Sequence, residues 1–281
     1  MVRRTALGGV TALAAVAMLA LTVRLWPVRP PSPQPDVVLA VAERVQGSPR
    51  RHHEQDGRSL TAALTPAESV RLGDDVETGA SSRAALRADD GSSIRIDYDS
   101  RVRFLAPSVV EVTAGAVYIE TAAGSQGFEV RTPIGTVRDV GTQFEVRVLH
   151  SSLRLRVRTG AAELRRGDSV TAAAAGTETT ATAGGVAVRR LASYGVEWAW
   201  TADVAPPFAI EGRPLSAFLD HLATEQGWRV DYADPQLADT VRRIILHGSL
   251  EGLTPEEALA ATLATSGLHY RIDAGTMVLS K

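Results

Sequence analysis

The chain has 281 residues, of which 44% are hydrophobic and 22% charged, with a net charge of −2 and no cysteine. That is enough chain and apolar content to bury a sizeable core, and the charge balance does not favour a polyanion such as nucleic acid as partner. Without thiols, disulfides and thiolate metal sites are excluded. Lys281 is the lone lysine among thirty basic residues. An arginine here is therefore weak evidence of a phosphate or carboxylate clamp.

Thr5 to Val23 is a run of nineteen residues without a charge. As a helix it can span a hydrocarbon core of about 30 Å, given some thinning. We read residues 1–4 as a cytoplasmic stub, 5–24 as a single transmembrane anchor in the inner membrane and 25–36 as a Pro-rich spacer, with the bulk of the chain in the periplasm. Arg3 and Arg4 also suit a cleaved signal peptide or a twin-arginine export signal. The small-x-small sites fit cleavage poorly, because Ala15-Val16-Ala17 lies inside the run and Ala40-Val41-Ala42 far beyond it. Pro27, Pro30, Pro31, Pro33 and Pro35 end any helix and stiffen the spacer.

Over residues 37–200 the pattern predicts an all-β domain of short strands, either a sandwich or solenoid-like. Ser93–Tyr98, Phe128–Arg131, Phe144–Val148 and Leu153–Arg158 alternate apolar with charged residues, as a half-buried strand requires. Turn signals separate them, among them Asp89-Asp90-Gly91-Ser92, Ala114-Gly115 and Pro133-Ile134-Gly135. The low-complexity stretch 172–185 reads as a loose edge or a linker.

Beyond Pro207 the period changes. Leu215, Phe218, Leu219 and Leu222 form a helical stripe, with Pro214 in the first turn and Gly227 as C-terminal cap. Trp228–Tyr232 and Ile244–Leu246 read as strands. Thr254, Pro255 and Glu257 open a second helix with a capping box, and Leu268–Ile272 and Thr276–Leu279 form a hairpin. The predicted order is βαββαββ, so residues 201–281 read as a small α+β domain with two helices on one sheet.

No candidate catalytic, cofactor-binding or metal site stands out, and we expect no enzyme. There is no nucleotide fingerprint and no Gly-x-Ser-x-Gly elbow. His52-His53 beside Glu54 and Asp56 could hold a metal weakly, but a solvated polar loop explains them better. Asp74-Asp75, Asp89-Asp90 and Asp97/Asp99 could serve as a glycosidase acid and base. Turn formation accounts for them more simply. Glu256-Glu257 reads as helix capping, and Gly141-Thr142 as a backbone requirement. Trp198 and Trp200 share a face if their segment is extended, and would cement the β domain to the C-terminal one, with an exposed recognition patch as the alternative.

Taken in order, these features resemble the FecR family of membrane-anchored anti-sigma regulators over roughly residues 70–281. The resemblance rests on Asp90-Gly91-Ser92, Gly115–Ile119, Phe128-Glu129-Val130, Thr132-Pro133, Val140-Gly141-Thr142-Gln143-Phe144-Glu145-Val146, Gly160 and the two tryptophans. Residues 207–281 are similar to the STN module of secretins and TonB-dependent receptors, through Phe208-x-Ile210, Pro214-Leu215, Gly252–Leu259 and Gly267-Leu268-x-Tyr270. The resemblance implies a periplasmic regulator without cofactors. Its partner would be the signalling domain of a TonB-dependent outer-membrane receptor, and its output would reach an extracytoplasmic-function sigma factor. It also implies a cytosolic N-terminal anti-sigma domain, which the four residues before the apolar run do not supply. A cell-envelope scaffold or a carbohydrate- or peptidoglycan-binding β protein is the competing expectation.

Overall fold

The computed structural model describes residues 37–281 apart from Asp56, Val140 and Thr265. The apolar run and the anchor and spacer read from it lie outside the described residues. Among the described residues no helix is long and apolar enough to cross a membrane.

The first part of the chain forms strands β1 (Val38–Gln46), β2 (Arg50–Gln55), β3 (Arg58–Ala63), β4 (Ser69–Arg71), β5 (Asp75–Glu77), β6 (Arg83–Ala88), β7 (Ser93–Ile96), β8 (Arg101–Ala106) and β9 (Val109–Glu120). It continues with β10 (Glu129–Arg131), β11 (Thr136–Asp139), β12 (Gln143–Leu149), β13 (Ser152–Thr159), β14 (Ala161–Arg166), β15 (Ser169–Ala174), β16 (Thr177–Thr182) and β17 (Gly185–Arg190). The ladders arrange these strands in two layers. One runs β4-β1-β6-β7-β9-β12-β13-β16-β17. The other runs β3-β2-β5-β8-β9-β10-β11-β14-β15. Strand β9 belongs to both, its first half in the second layer and its second half in the first.

The layers face each other across one apolar core, as in a sandwich. Leu86, Ile94, Ile119, Phe144 and Leu155 point in from one side, and Val76, Phe104, Val112, Val130 and Leu164 from the other. From β6 onward the chain fills the layers hairpin by hairpin in alternation, as a solenoid would. The two architectures left open by the sequence are thus combined. Residues 172–185 are not a linker. They build β15 and β16, and Ala173 and Ala181 are buried in the core.

Gly115 marks the point where β9 passes between layers. Its φ is +74°, and a Cβ there would sit 2.5 Å from the Ser100 Cα. Only glycine satisfies both the left-handed backbone and the close approach.

A 3-10 turn, Val196–Trp198, and helix α1 (Ala199–Asp203) lead to the C-terminal segment. That segment contains α2 (Leu215–Gln226), β18 (Arg229–Tyr232), α3 (Gln236–Arg243), α4 (Pro255–Leu263), β19 (His269–Asp273) and β20 (Thr276–Ser280). Its sheet runs β18-β20-β19, with β18 parallel and β19 antiparallel to β20. Leu215, Phe218, Leu219, Leu222, Leu259 and Met277 form a second core. The Thr254 hydroxyl accepts from Glu257 N and the Glu257 carboxylate from Thr254 N, so the capping box is closed.

The predicted βαββαββ order is corrected here. Helix α3 was not expected, and Ile245 makes only an isolated bridge to Pro214 instead of a strand. The helix forms because the Asp234 carboxylate accepts from Gln236 N at 2.9 Å and because Leu237 and Val241, four apart, are both buried.

Gly115→Ala is expected to cost well over about 2 kcal/mol, the upper end of the roughly 1–2 kcal/mol that a left-handed backbone alone costs. Gly57→Ala is the control, since its φ is +71° and nothing lies within 4 Å of the new Cβ. Urea unfolding of both variants separates the clash from the backbone term. Equal losses would refute the crossing-point account.

Candidate functional site

Alternation in the strands predicts one face for the core and one for water. The core face is as expected, but the charged face of the first layer is covered. One row across it reads Ala85, Arg95, Tyr118, Glu145, Arg156, Glu178 and Arg189, each opposite the next on the neighbouring strand. Arg95, Tyr118 and Glu145 are 1% exposed or less. Opposite charges placed across a ladder attract. Arg156 Nε reaches Glu178 at 2.7 Å, and Arg189 reaches the same carboxylate at 2.7 and 2.8 Å. Glu145 accepts from Arg154 at 2.7 Å and from Arg147 at 3.3 Å.

The cover is the segment 191–205. Trp198 lies edge-on to Tyr118 with ring centroids 6.2 Å apart, and packs with Leu191, Trp200 and Val204 over Ala85 and Ala116. The Trp200 indole N–H donates to Glu145 at 2.9 Å, and the Trp198 indole to the Ala192 carbonyl at 2.8 Å. The segment is helical here, so the tryptophans do not share a face by strand alternation. Both are nonetheless buried, one over the ring and one over the carboxylate. Backbone carbonyls of the cover accept from Arg44, Gln46, Arg95, Arg156 and Arg158.

The C-terminal segment is joined to this face through the last turn of α2. Glu225 forms a two-pronged pair with Arg95, at 2.6 and 2.7 Å. Arg158 donates to the Glu225 carbonyl at 3.0 Å, and the Ser193 hydroxyl to the Gly227 carbonyl at 3.1 Å. A Cβ on Gly227 would lie 1.9 Å from the Ser193 carbonyl oxygen, and one on Gly275 would lie 2.2 Å from the Tyr194 ring. Two glycines thus let helix end and hairpin turn press against the cover. Burial alone would weaken the charge on Arg95. The Glu225 carboxylate overrides it, and the guanidinium is held more firmly protonated than usual. Burial pushes the Glu120 carboxyl up, helped by the nearby Glu225 charge and opposed by Arg95. Burial also pushes the Tyr118 hydroxyl up to about 12.

Beside this junction lies an open, polar cleft of about 860 Å³. Glu120, Gln143, Arg158, Asp220, Thr224 and Arg229 are among its lining residues. Gly141 and Thr142 also border it, through a turn pinned by one carboxylate. Asp139 accepts from Gly141 N, Thr142 N, the Thr142 hydroxyl, the Thr121 hydroxyl and Phe128 N. That pin, together with a φ of +78° at Gly141, is the local reason for the Gly-Thr pair.

The described residues weighed for chemistry do not assemble into the predicted groups, although His53 and Asp74, from two different groups, meet; Asp56 lies outside the described residues. His52 contacts Thr61 and Glu77, whereas His53 contacts Asp74. Asp74 is buried, bound by Arg51 and Arg71 N, while Asp75 pairs with Arg103. Asp90 accepts from Ser92 N and two serine hydroxyls in a turn. Asp97 is buried between Arg83 and Arg147, and Asp99 takes a φ of +50° in the next turn. No group of three metal-ligating side chains occurs among the described residues. The junction residues Arg95, Glu225 and Arg158 were missed from sequence. Their one signal is a strand arginine opposite an aromatic, which does not identify a partner 130 residues away.

Residues 74–163 match the family model described as FecR protein. No curated protein matches the sequence. Among solved structures, two crystal structures of a candidate anti-sigma factor from Parabacteroides distasonis ATCC 8503, at 2.50 and 1.65 Å resolution, are similar to the chain. Each is 18% identical with a TM-score of 0.40, covering 74% of this chain and 98% of its own.

Two outcomes test the junction. Trp200→Phe leaves one buried Glu145 oxygen without its indole donor and is expected to cost about 1.5–3 kcal/mol by urea unfolding. A loss within about 0.5 kcal/mol, the ordinary surface range, would contradict it. For Glu120, the folded chain keeps its proton to a higher pH than the unfolded chain, whose carboxyl titrates near 4.5. The stability owed to this group is therefore full below pH 4.5 and declines as pH rises through the raised folded value. The stability difference between wild type and Glu120→Gln should shift against wild type over that interval. A pH-independent difference would contradict the assignment.

Proposed function

We propose that this protein is a FecR-type regulator that works by protein–protein contact and carries no catalytic activity. The observation that carries the reading is the FecR match over residues 74–163. It includes β6, β7, β9, β12 and β13, which present the most deeply buried part of the charged face. We further propose that residues 37–200 form the FecR-like module and residues 201–281 an STN-like module. The anchor would hold both in the periplasm on the inner membrane. The signal would come from a TonB-dependent receptor and pass towards an extracytoplasmic-function sigma factor.

The contact surface we favour is the edge strand β19. It pairs only with β20 among the described residues, and its side chains alternate exposed and half-buried. An extended segment of the receptor's signalling domain can add to such an edge through backbone hydrogen bonds. Binding is tested by pull-down of the chain with the signalling domains of TonB-dependent receptors from the same genome. The site is tested by hydrogen exchange, where the expected result is protection of amides 269–273 in the complex. Failure to capture any such domain would sink the receptor reading. Capture without protection of β19 would move the contact elsewhere.

A further inference from the structure

The two layers of the β module end together, and at one end both final strands are open. Strand β17 pairs only with β16, and β15 only with β14, among the described residues. All six residues of β17 are exposed, with Val186 at 41% and Val188 at 57%. Both valines lie on the core side of the layer, since Val186 is opposite Ala181 and Val188 opposite Thr179, which are fully buried. Edge strands are normally blunted by charge, proline or a bulge. Strand β15 has no charged residue, and β17 has none before Arg189. Neither the cover nor α2 forms a ladder with β17 among the described residues. The chain leaves β17 at Leu191 and contacts β13, β7 and β1 instead.

We propose that this end is a two-fold interface with a second copy of the chain, joined through antiparallel pairing of β17 with itself about Ala187. The sequence around that residue is self-complementary. Centring on Ala187 keeps core-side residues opposite core-side residues, as strand pairing requires. Val186 then faces Val188 of the second copy, and each Arg189 faces a Gly185. Gly185 has nothing within 4 Å of where a Cβ would stand, which leaves room for the arginine stem. The two Arg189 side chains lie four residues apart along the pair, about 13 Å at strand rise. That exceeds the screening length of roughly 8 Å at physiological salt. Each is already paired with its own Glu178. Pairing satisfies the open backbone groups and covers four valines, and the uncharged edge of β15 ends the opposite layer at the same side. The interface is independent of the receptor reading, because β19 lies in the separate three-stranded sheet.

The chain has no cysteine, so single-cysteine variants of the full chain report cleanly. Cα atoms directly opposite in an antiparallel pair are about 4.5–5.5 Å apart, within disulfide range. Ala187→Cys in the full-length protein is expected to give a covalent dimer under mild oxidation. Adding Val188→Lys should abolish the dimer while leaving the circular dichroism spectrum that of the folded chain. Leu60→Cys, on the exposed strand β3, should give none. The proposal is overturned if Ala187→Cys stays monomeric, if Leu60→Cys crosslinks as well, or if a folded Val188→Lys double variant still crosslinks.

Discussion

The structure depends on the burial of a charged sheet face. Strand alternation normally turns such a face to water. Here Arg95 is stripped of solvent and held by Glu225 from a helix 130 residues later. Breaking a buried pair of this kind costs about 3–5 kcal/mol, because the remaining charge is stranded. The pair is not an optimised source of stability. The Arg95 Nε has no hydrogen-bond partner among the described residues, and two apolar residues could fill the same volume. What the pair supplies is register: Arg95 takes the Glu225 carboxylate while Arg158 takes the backbone carbonyl of the same residue.

The rest of the junction follows from that constraint. Once α2 is fixed by Glu225, its C-terminal cap meets Ser193, which only a glycine at 227 permits. The cover between the two must then cross Tyr118 and Glu145, so it needs a large apolar group for one and a donor for the other. Trp198 and Trp200 supply these. The β module therefore does more than carry its own core. Its outer face is a socket with a charge pattern matched to one helix end, and movement of the C-terminal segment must first disturb that pattern. Any partner that grips β19 acts on a segment already tied to the family-matched strands.

The sequence was legible wherever one residue reports one local requirement. The strands at 93–98, 144–148 and 153–158 were readable from alternation, the helix stripe at 215–222 from its period, and the capping box from Thr254 and Glu257. Two things were not legible. Helix α3 is short and highly polar, and its apolar content is little more than Leu237 and Val241, so its pattern resembles a loop. The covered face was missed for a deeper reason. A charged residue alternating along a strand looks the same whether water or a carboxylate lies beyond it, and only the fold brings Glu225 over Arg95. The tryptophans hinted at a cover, but their strand-like spacing suggested the wrong backbone.

The central claim is that Arg95 and Glu225 act as one unit joining the C-terminal segment to the β module. A double-mutant cycle of Arg95→Met and Glu225→Gln, followed by urea unfolding, tests it most directly. The account predicts a coupling energy of about 2–3 kcal/mol, the upper range for contacting residues, with the double variant losing less than the two single variants together. Additivity within about 0.5 kcal/mol would show that the two residues stabilise the chain independently, and would contradict the account.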